Sequence, residues 1–374
     1  MKIENTQYFK NQNNKTGIQT NTDTEPSSIF LNNNTENNIQ EPLFTNTTDT
    51  QKKDDKSAQI MTDFSSKLQN AIDEKYNEAV KSGVKLTPSE DDLSEDQQRW
   101  SVYADKYSNI NEASAQKKAK TFYAMLPDSG NGKIDKPAKQ ISNNCWLVGG
   151  LNSLTTSKTG QTLIENNLVK DNNKHIFAIH LQEAENKHLP APKGDGIYTF
   201  TEKEVFDAQK RNSKEGLVSG DGDVAAFALA IEEYLKVSNN GQLAGDKTHF
   251  SDGAKVSRLY EIITGEERKT FENENNTGVT FVELDTDTNK DNSDFEFIQK
   301  IYENQSGSAT LNIKGHAFSV VSSDKDNLFI QESNLTEGFK NSFELVPDTY
   351  PPTYKLSKSA FQSNVESYGL LKWQ

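Results

Sequence analysis

The segment Gln140-Ile-Ser-Asn-Asn-Cys145-Trp-Leu-Val-Gly-Gly-Leu-Asn-Ser-Leu154 decides how the fold of this chain is interpreted, because it holds the single cysteine among 374 residues. Leu147, Leu151 and Leu154 share one helical face, and the Ser and Asn residues just before Cys145 are types that cap helices. The pattern therefore predicts a helix that begins at Cys145. The unpaired N–H groups and positive dipole end of such a helix favour a thiolate and can stabilise an oxyanion.

A cysteine nucleophile needs a base, and the chain contains 5 histidines. His316 stands in Gly315-His316-Ala317-Phe318-Ser319-Val320-Val321, at the start of a predicted strand. His180 lies in an alternating strand pattern and is predicted to be a partly buried structural histidine. The remaining histidines lie in polar connections and are predicted at the surface: His175, His188 and His249. His316 is therefore the candidate base.

The base must be oriented by a third group that hydrogen-bonds to its other ring nitrogen. Residues 317–322 predict a strand, residues 323–327 a turn, and the segment from Leu328 a second strand. A side-chain period of two puts Leu328, Ile330, Glu332 and Asn334 on one face. Either Glu332 or Asn334 could therefore reach His316.

The two blocks around Cys145 and His316 resemble papain-like cysteine peptidases, and they are most similar to the calpain branch. That branch has Gly-Asp-Cys-Trp-Leu at the nucleophile and Gly-His-Ala-Tyr-Ser-Val at the base. The resemblance implies Cys145 as nucleophile, His316 as base and Gln140 as oxyanion donor, although Gln140 is five residues upstream where six is usual. Calpain-like proteins have Asn-Pro-Trp at the third position, where this chain lacks Pro and Trp. Asn334 keeps the family's residue type and is slightly favoured, whereas Glu332 keeps the position.

The order of predicted elements indicates an α+β fold, because helices come first and strands of an antiparallel sheet follow. Helical periodicity recurs from Ile60 to Val80, over 91–108 and over 112–126, and strands dominate after residue 278. The predicted organisation is a disordered leader at 1–58, a helical accessory region at 59–127 and a papain-like or calpain-like peptidase domain at 138–374. In that domain the nucleophile helix and a helical subdomain precede the C-terminal sheet.

Composition excludes several function classes. The 41 Lys and Arg against 55 Asp and Glu give a net charge of -14, which disfavours nucleic acid and anionic membrane surfaces. Neither an apolar run long enough to span a membrane nor the apolar core of a Sec signal is found. The segment from Asp285 to Glu296 has calcium-loop spacing, but Lys290 replaces the turn glycine. A solvated acidic loop is predicted there, and no metal or cofactor is expected.

The resemblance implies a cysteine protease that uses a Cys-His-Asn or Cys-His-Glu triad. The polar leader resembles those of bacterial effectors, so we expect secretion without a Sec signal, delivery into a host cytosol and a host protein as substrate; the alternative location is the bacterial cytoplasm. The same triad serves deubiquitinase-like isopeptidases, glutamine deamidases and acyl transferases. A catalytically inactive binding module and a helical adaptor based on residues 60–126 are the non-enzymatic alternatives.

Overall fold

The computed structural model describes residues 50–134, 136–141, 143–182, 189, 191–192, 194–210, 218–237, 254–269, 277–284, 292–334, 343–347 and 349–373. Residues 1–49 of the leader predicted at 1–58 lie outside the described residues. His188, His249 and residues 285–291 of the predicted acidic loop also lie outside them. Residues 56–374 form one unit, to which the description below applies.

Three helices open the described chain: α1 (Thr50–Ser82), α2 (Glu95–Ser108) and α3 (Ala113–Met125). A 3₁₀ turn at Glu90–Asp92 precedes α2. The predicted boundary at residue 58 falls inside α1, which begins at Thr50. Lys, Gln, Ala and Asp permit a helix but produce no apolar period, so the sequence pattern indicated only the part of α1 from Ile60 onward.

The middle of the chain alternates between helices and short strands. The elements are β1 (Lys139–Gln140), α4 (Cys145–Leu154), α5 (Lys158–Asn167), β2 (Leu168–Asp171), β3 (Ile176–His180), β4 (Ile197–Thr201), α6 (Glu202–Ala208), β5 (Val218–Ser219), α7 (Gly222–Val237) and α8 (Arg258–Thr264). Strands β2, β3 and β4 form an antiparallel sheet, and β1 pairs antiparallel with β5. Helix α6 begins at Glu202 with a capping box, in which Thr201 and Glu204 bond each other's backbone.

The C-terminal part builds a seven-stranded antiparallel sheet. Its elements are β6 (Gly278–Glu283), α9 (Asn292–Glu303), β7 (Gly307–Ile313), β8 (His316–Ser323), β9 (Asn327–Glu332), β10 (Glu344–Leu345), β11 (Thr353–Ser357), α10 (Lys358–Asn364) and β12 (Val365–Lys372). The strand order is β10-β11-β9-β8-β7-β12-β6. The two central strands, β7 and β8, are consecutive in sequence and form a hairpin.

Helix α4 packs against β7 and β8, and this contact joins the two halves of the unit. The approach is close, because a Cβ on Gly149 would lie 3.2 Å from the Cβ of Ala317 in β8. Ser319 of β8 also donates from Oγ to the carbonyl oxygen of Gly149 at 2.9 Å. The small residues of α4 therefore fix the distance between Cys145 and the start of β8.

The structure confirms the α+β class predicted from the sequence, with helices that precede a large antiparallel sheet. Two described helices were not predicted, α5 and α10, because each is short and begins after a serine cap instead of showing a long apolar period. Among the described residues, no helix is both long enough and apolar enough to cross a membrane.

Candidate active site

Cys145 is the first residue of α4, and its side chain is half-buried. The N-cap residue Asn144 makes no side-chain cap, and its carbonyl accepts the N–H groups of Leu147 and Val148. The N–H of Cys145 is a first-turn amide, for which the helix itself supplies no acceptor. A carbonyl oxygen brought to the thiol can therefore use this N–H as a donor.

His316 is placed by the two-residue turn between β7 and β8. Lys314 has φ +53° and Gly315 has φ +74°, the pair of positive values that a type I′ hairpin turn requires. The N–H of Gly315 donates to Glu366 Oε2 at 3.1 Å. Glu366 lies at a register shift of β12 between Val365 and Ser367, and such bulges redirect a side chain. The bulge thus anchors the turn that precedes His316.

Three consecutive residues at the end of β9 contact Nε2 of His316. Glu332 Oε1 lies 3.2 Å away, Ser333 Oγ 3.3 Å and Asn334 Nδ2 3.4 Å. Asn334 Nδ2 also donates to Glu332 Oε1 at 3.0 Å. The strand ends at Glu332, so Ser333 and Asn334 turn back towards the ring instead of alternating across the sheet. Both sequence candidates for the third group therefore lie at the ring, and the carboxylate oxygen is the nearer.

The thiol and the imidazole act on each other's protonation. Burial alone would raise the pKa of Cys145, but a hydrogen bond from His316, its charge and the N–H groups of Ala317 and Trp146 outweigh burial and lower that pKa. Burial alone would lower the pKa of His316, but the bonds and charges of Cys145 and Glu332 raise it to about 9. The geometry therefore favours the charged form of each group, a thiolate at Cys145 and an imidazolium at His316.

Gln140 is held next to this pair by Ser333. The backbone N–H of Gln140 donates to the Ser333 carbonyl at 2.9 Å, and Ser333 Oγ donates to Gln140 Oε1 at 2.6 Å. Two residues upstream, the side chain of Asn152 in α4 bonds both backbone groups of Ala138. The N–H of Ala138 donates to Asn152 Oδ1 at 3.1 Å, and Asn152 Nδ2 donates to the Ala138 carbonyl at 3.0 Å. The oxyanion candidate is thus tied to the nucleophile helix and to the residue beside the base.

The bonds of Ser333 determine which nitrogen of His316 carries a proton. A serine hydroxyl has one proton, and Ser333 gives it to Gln140 Oε1. Towards His316 Nε2 the hydroxyl can therefore only accept, and the Glu332 carboxylate also only accepts. Nε2 must therefore carry a proton, so Nδ1 is the unprotonated nitrogen of the neutral ring.

The other described histidines lie apart from this cluster. His180 Nδ1 is 3.4 Å from Asn167 Oδ1, and burial lowers its pKa. His175 contacts Glu202 Oε1 at 3.2 Å, and its side chain is 39% exposed. Among the described residues, no group of His, Cys, Asp and Glu could hold a metal ion.

Sequence reasoning missed three residues that support the site, namely Ser333, Asn152 and Glu366. Ser333 lies between the candidates Glu332 and Asn334 in the sequence, but the alternation of an unbroken strand would place its side chain on the opposite face of the sheet. Asn152 was visible as a polar residue within an otherwise apolar helix. Nothing in the sequence signalled the bulge at Glu366.

Comparison with models of known protein families finds no match, and no curated protein sequence matches the chain. The function of this protein is therefore argued from the geometry of its candidate site.

Proposed function

We propose that this chain is a cysteine peptidase with a papain-like, calpain-related core, which hydrolyses an amide bond in a protein through Cys145, His316 and Glu332. The observation that carries the proposal is the connected series of bonds from the thiol to His316 and from Nε2 to the Glu332 carboxylate. A nucleophile at a helix start, a base at a strand start and an orienting group at the end of the next strand also support the papain-like assignment.

Acylation follows from this geometry. The Cys145 thiolate attacks the substrate carbonyl carbon, and the C=O electron pair moves to oxygen, where the Cys145 N–H and the Gln140 side-chain amide stabilise the negative charge. His316 then donates its Nδ1 proton to the leaving nitrogen. The C–N bond breaks, an amine departs, and the acyl group remains on sulfur as a thioester.

Deacylation uses the same groups in reverse order. Neutral His316 accepts a proton from water at Nδ1, and the hydroxide attacks the thioester carbon. The C–S bond breaks, the acid is released, and the thiolate–imidazolium pair forms again. Glu332 stays ionised throughout, stabilises the imidazolium and keeps the ring in position.

The related activities differ in the group that leaves when the thioester forms and in the group that then accepts the acyl chain. Water after an amine leaving group gives a peptidase or an isopeptidase, ammonia as leaving group gives a glutamine deamidase, and an amine acceptor gives an acyl transferase. Peptide-bond hydrolysis in a host protein is our proposal. It rests on the resemblance around Cys145 and His316 and on the effector-like leader.

The first test measures the mass of the intact protein after brief exposure to iodoacetamide or an epoxide inhibitor, across pH 4 to 9. We expect rapid single labelling of Cys145 at pH values well below 8 in the wild type and slow labelling in His316→Ala. Labelling that is slow in both proteins would overturn the proposal and favour the inactive binding module. A peptide library and ubiquitin-type electrophiles, with Cys145→Ala as control, then separate peptidase from isopeptidase.

The proposed delivery into a host cell has a separate test. Secretion of the full chain is compared with that of a protein that lacks residues 1–49, the part of the predicted leader 1–58 that precedes α1. We expect export only of the full chain. Equal behaviour of the two proteins would overturn the effector assignment without affecting the chemistry.

A further inference from the structure

The hairpin of α2 and α3 presents apolar side chains to solvent. Val102 is 64% exposed, Tyr103 44% and Ile110 39%, and all three lie in α2 or in the turn that follows it. In the described part of the chain, the other large apolar residues with such exposure are Val80 and Val84, near the end of α1. Exposed apolar side chains that cluster in this way are typical of interaction surfaces.

Aromatic rings from both helices form a stripe on this hairpin. Trp100, Tyr103 and Tyr107 recur at three- and four-residue steps on α2 and therefore share one face of that helix. The Phe122 ring of α3 stacks on the rings of Tyr103 and Tyr107, with centroids 5.2 and 6.0 Å apart. All four residues are at least partly exposed. We call this aromatic surface the hairpin face; its rings are held against one another and offer a rigid surface to a ligand.

Two lysines, one from each helix, lie at the same ring of the hairpin face. Lys106 Nζ is 5.6 Å and Lys118 Nζ is 5.2 Å from the centroid of the Tyr107 ring. Both lysines are exposed, and neither forms an ion pair within the residues that the structure describes. Helix α3 contains no acidic residue. A negatively charged ligand at this ring would offset the repulsion between the two ammonium groups.

The hairpin face begins beside the oxyanion candidate. Lys139 precedes Gln140, and its Nζ lies 5.6 Å from the centroid of the Trp100 ring and 4.0 Å from Sδ of Met125. An α-helix rises about 1.5 Å per residue, so the stripe from Trp100 to Tyr107 extends about 10 Å from this contact. A protein substrate whose scissile carbonyl is held at Gln140 can therefore reach the stripe with a neighbouring segment of its own chain.

We propose that the hairpin face is a docking site for an acidic segment of the protein substrate, one that carries aromatic or aliphatic side chains between its carboxylates. The inference rests on the proposed function and deepens it, because it names a substrate class. The carboxylates bind Lys106 and Lys118, and the apolar side chains pack on the stacked rings and on Val102. A nucleic acid or an anionic membrane fits less well, because the net charge of -14 repels an extended anionic surface, whereas a short segment meets only the local cations.

The first test is the fluorescence anisotropy of a labelled peptide in which glutamates alternate with phenylalanine and leucine. The full-length Cys145→Ala protein is used, so that no cleavage occurs, and the same peptide with lysine in place of glutamate is the peptide control. We expect the acidic peptide to bind and the double variant Lys106→Glu/Lys118→Glu to weaken its binding about tenfold, because two attractive contacts become repulsive. Added salt should weaken binding to the parent protein more than binding to the variant.

The double variant Lys158→Glu/Lys325→Glu is the matched control. Both lysines are exposed, and they lie in α5 and in the turn between β8 and β9 instead of the hairpin. The control changes the net charge by the same amount and should leave the affinity within about twofold. Equal loss in the two double variants, or preference for the lysine peptide, would overturn the proposal. So would tighter binding to phosphatidylserine vesicles than to the peptide, or self-association that the hairpin variant abolishes, because these results assign the face to a membrane or to a second copy.

A second measurement links the hairpin face to the substrate. The best peptide from the library is extended through a glycine–serine linker by the acidic segment, or by the same segment with glutamine in place of glutamate. We expect the acidic extension to lower KM about tenfold with little change in kcat, and the hairpin variant to remove this gain. An unchanged KM would overturn the proposal. Failure of the proposed function looks different, because no peptide is then cleaved and Cys145 shows no fast labelling below pH 8, whereas binding of the acidic peptide is still measured.

Discussion

Replacement of Ser333 by alanine should damage turnover more than it damages the reactivity of the thiol. Ser333 is fully buried, and its Oγ gives its proton to Gln140 Oε1 at 2.6 Å while it accepts from His316 Nε2 at 3.3 Å. Alanine removes both bonds and adds no new contact. The amide of Gln140 then loses the bond that orients its donor end towards the oxyanion.

The size of the effect follows from the two bonds. A neutral hydrogen bond contributes about 1 kcal/mol net, and a bond from a charged group about 1.5–3 kcal/mol. Glu332 remains as an acceptor for the imidazolium, so the bond from His316 to Ser333 is also counted at about 1 kcal/mol. The two bonds together then contribute about 2 kcal/mol. This corresponds to a roughly 30-fold loss in kcat/KM. Alkylation of Cys145 does not use an oxyanion, so its rate should fall by only about fivefold, the share of one bond.

The assay compares kcat/KM on the best peptide substrate with the alkylation rate of Cys145 in the same preparation. Ser308→Ala serves as the control, because Ser308 is an equally buried serine whose Oγ bonds Ser157 outside the catalytic cluster. Both variants should lose a similar amount of thermal stability. If Ser333→Ala lowers kcat/KM no more than Ser308→Ala does, Ser333 has no role in holding Gln140.

Three further results are expected. Glu332→Gln should slow alkylation at pH 6 by about tenfold or more, because loss of the carboxylate lowers the pKa of His316, whereas Asn334→Ala should cost only a few-fold. Glu366→Ala removes the acceptor of the turn before His316, so kcat should fall a few-fold while the melting temperature, read by calorimetry, changes little. Burial raises the pKa of Asp223 to about 7 from its ordinary value of 3.8. Between these two pH values the folded protein holds a proton on Asp223 that the unfolded chain has released. The contribution of Asp223 to the free energy of unfolding therefore grows as pH falls from 7 towards 4. Between pH 7.5 and 5.5 denaturant titration should show a gain in stability that Asp223→Asn reduces, and the buried neighbour Asp221, whose pKa burial also raises, supplies the remainder.

The sequence pointed to residues that lie together in the candidate site, but not to the bonds among them. Cys145 and His316 were found because helix periodicity and strand alternation are local properties. The choice between Glu332 and Asn334 stayed open because a period of two applies only while the chain is extended. The strand ends at Glu332, and this end allows three successive residues to reach one ring nitrogen.

The supporting residues could not be found in the same way, because their partners are distant in sequence. Asn152 bonds Ala138, and Glu366 bonds Gly315, across a fold that the sequence pattern does not place in three dimensions. The bulge at Glu366 depends on the register of two strands, and register follows from the complete sheet. Local patterns therefore select the candidate groups, whereas tertiary structure determines how these groups are held.

The helical region before the catalytic cluster is an integral part of this support. The end of α3 is bonded to the β5 region, where Ser219 Oγ donates to the Met125 carbonyl at 2.5 Å and the N–H of Asp128 donates to Gly220. Because β5 pairs with β1, these bonds also fix the strand that carries Lys139 and Gln140. The segment at the end of α3 is therefore bonded, through β5, to the strand that precedes α4.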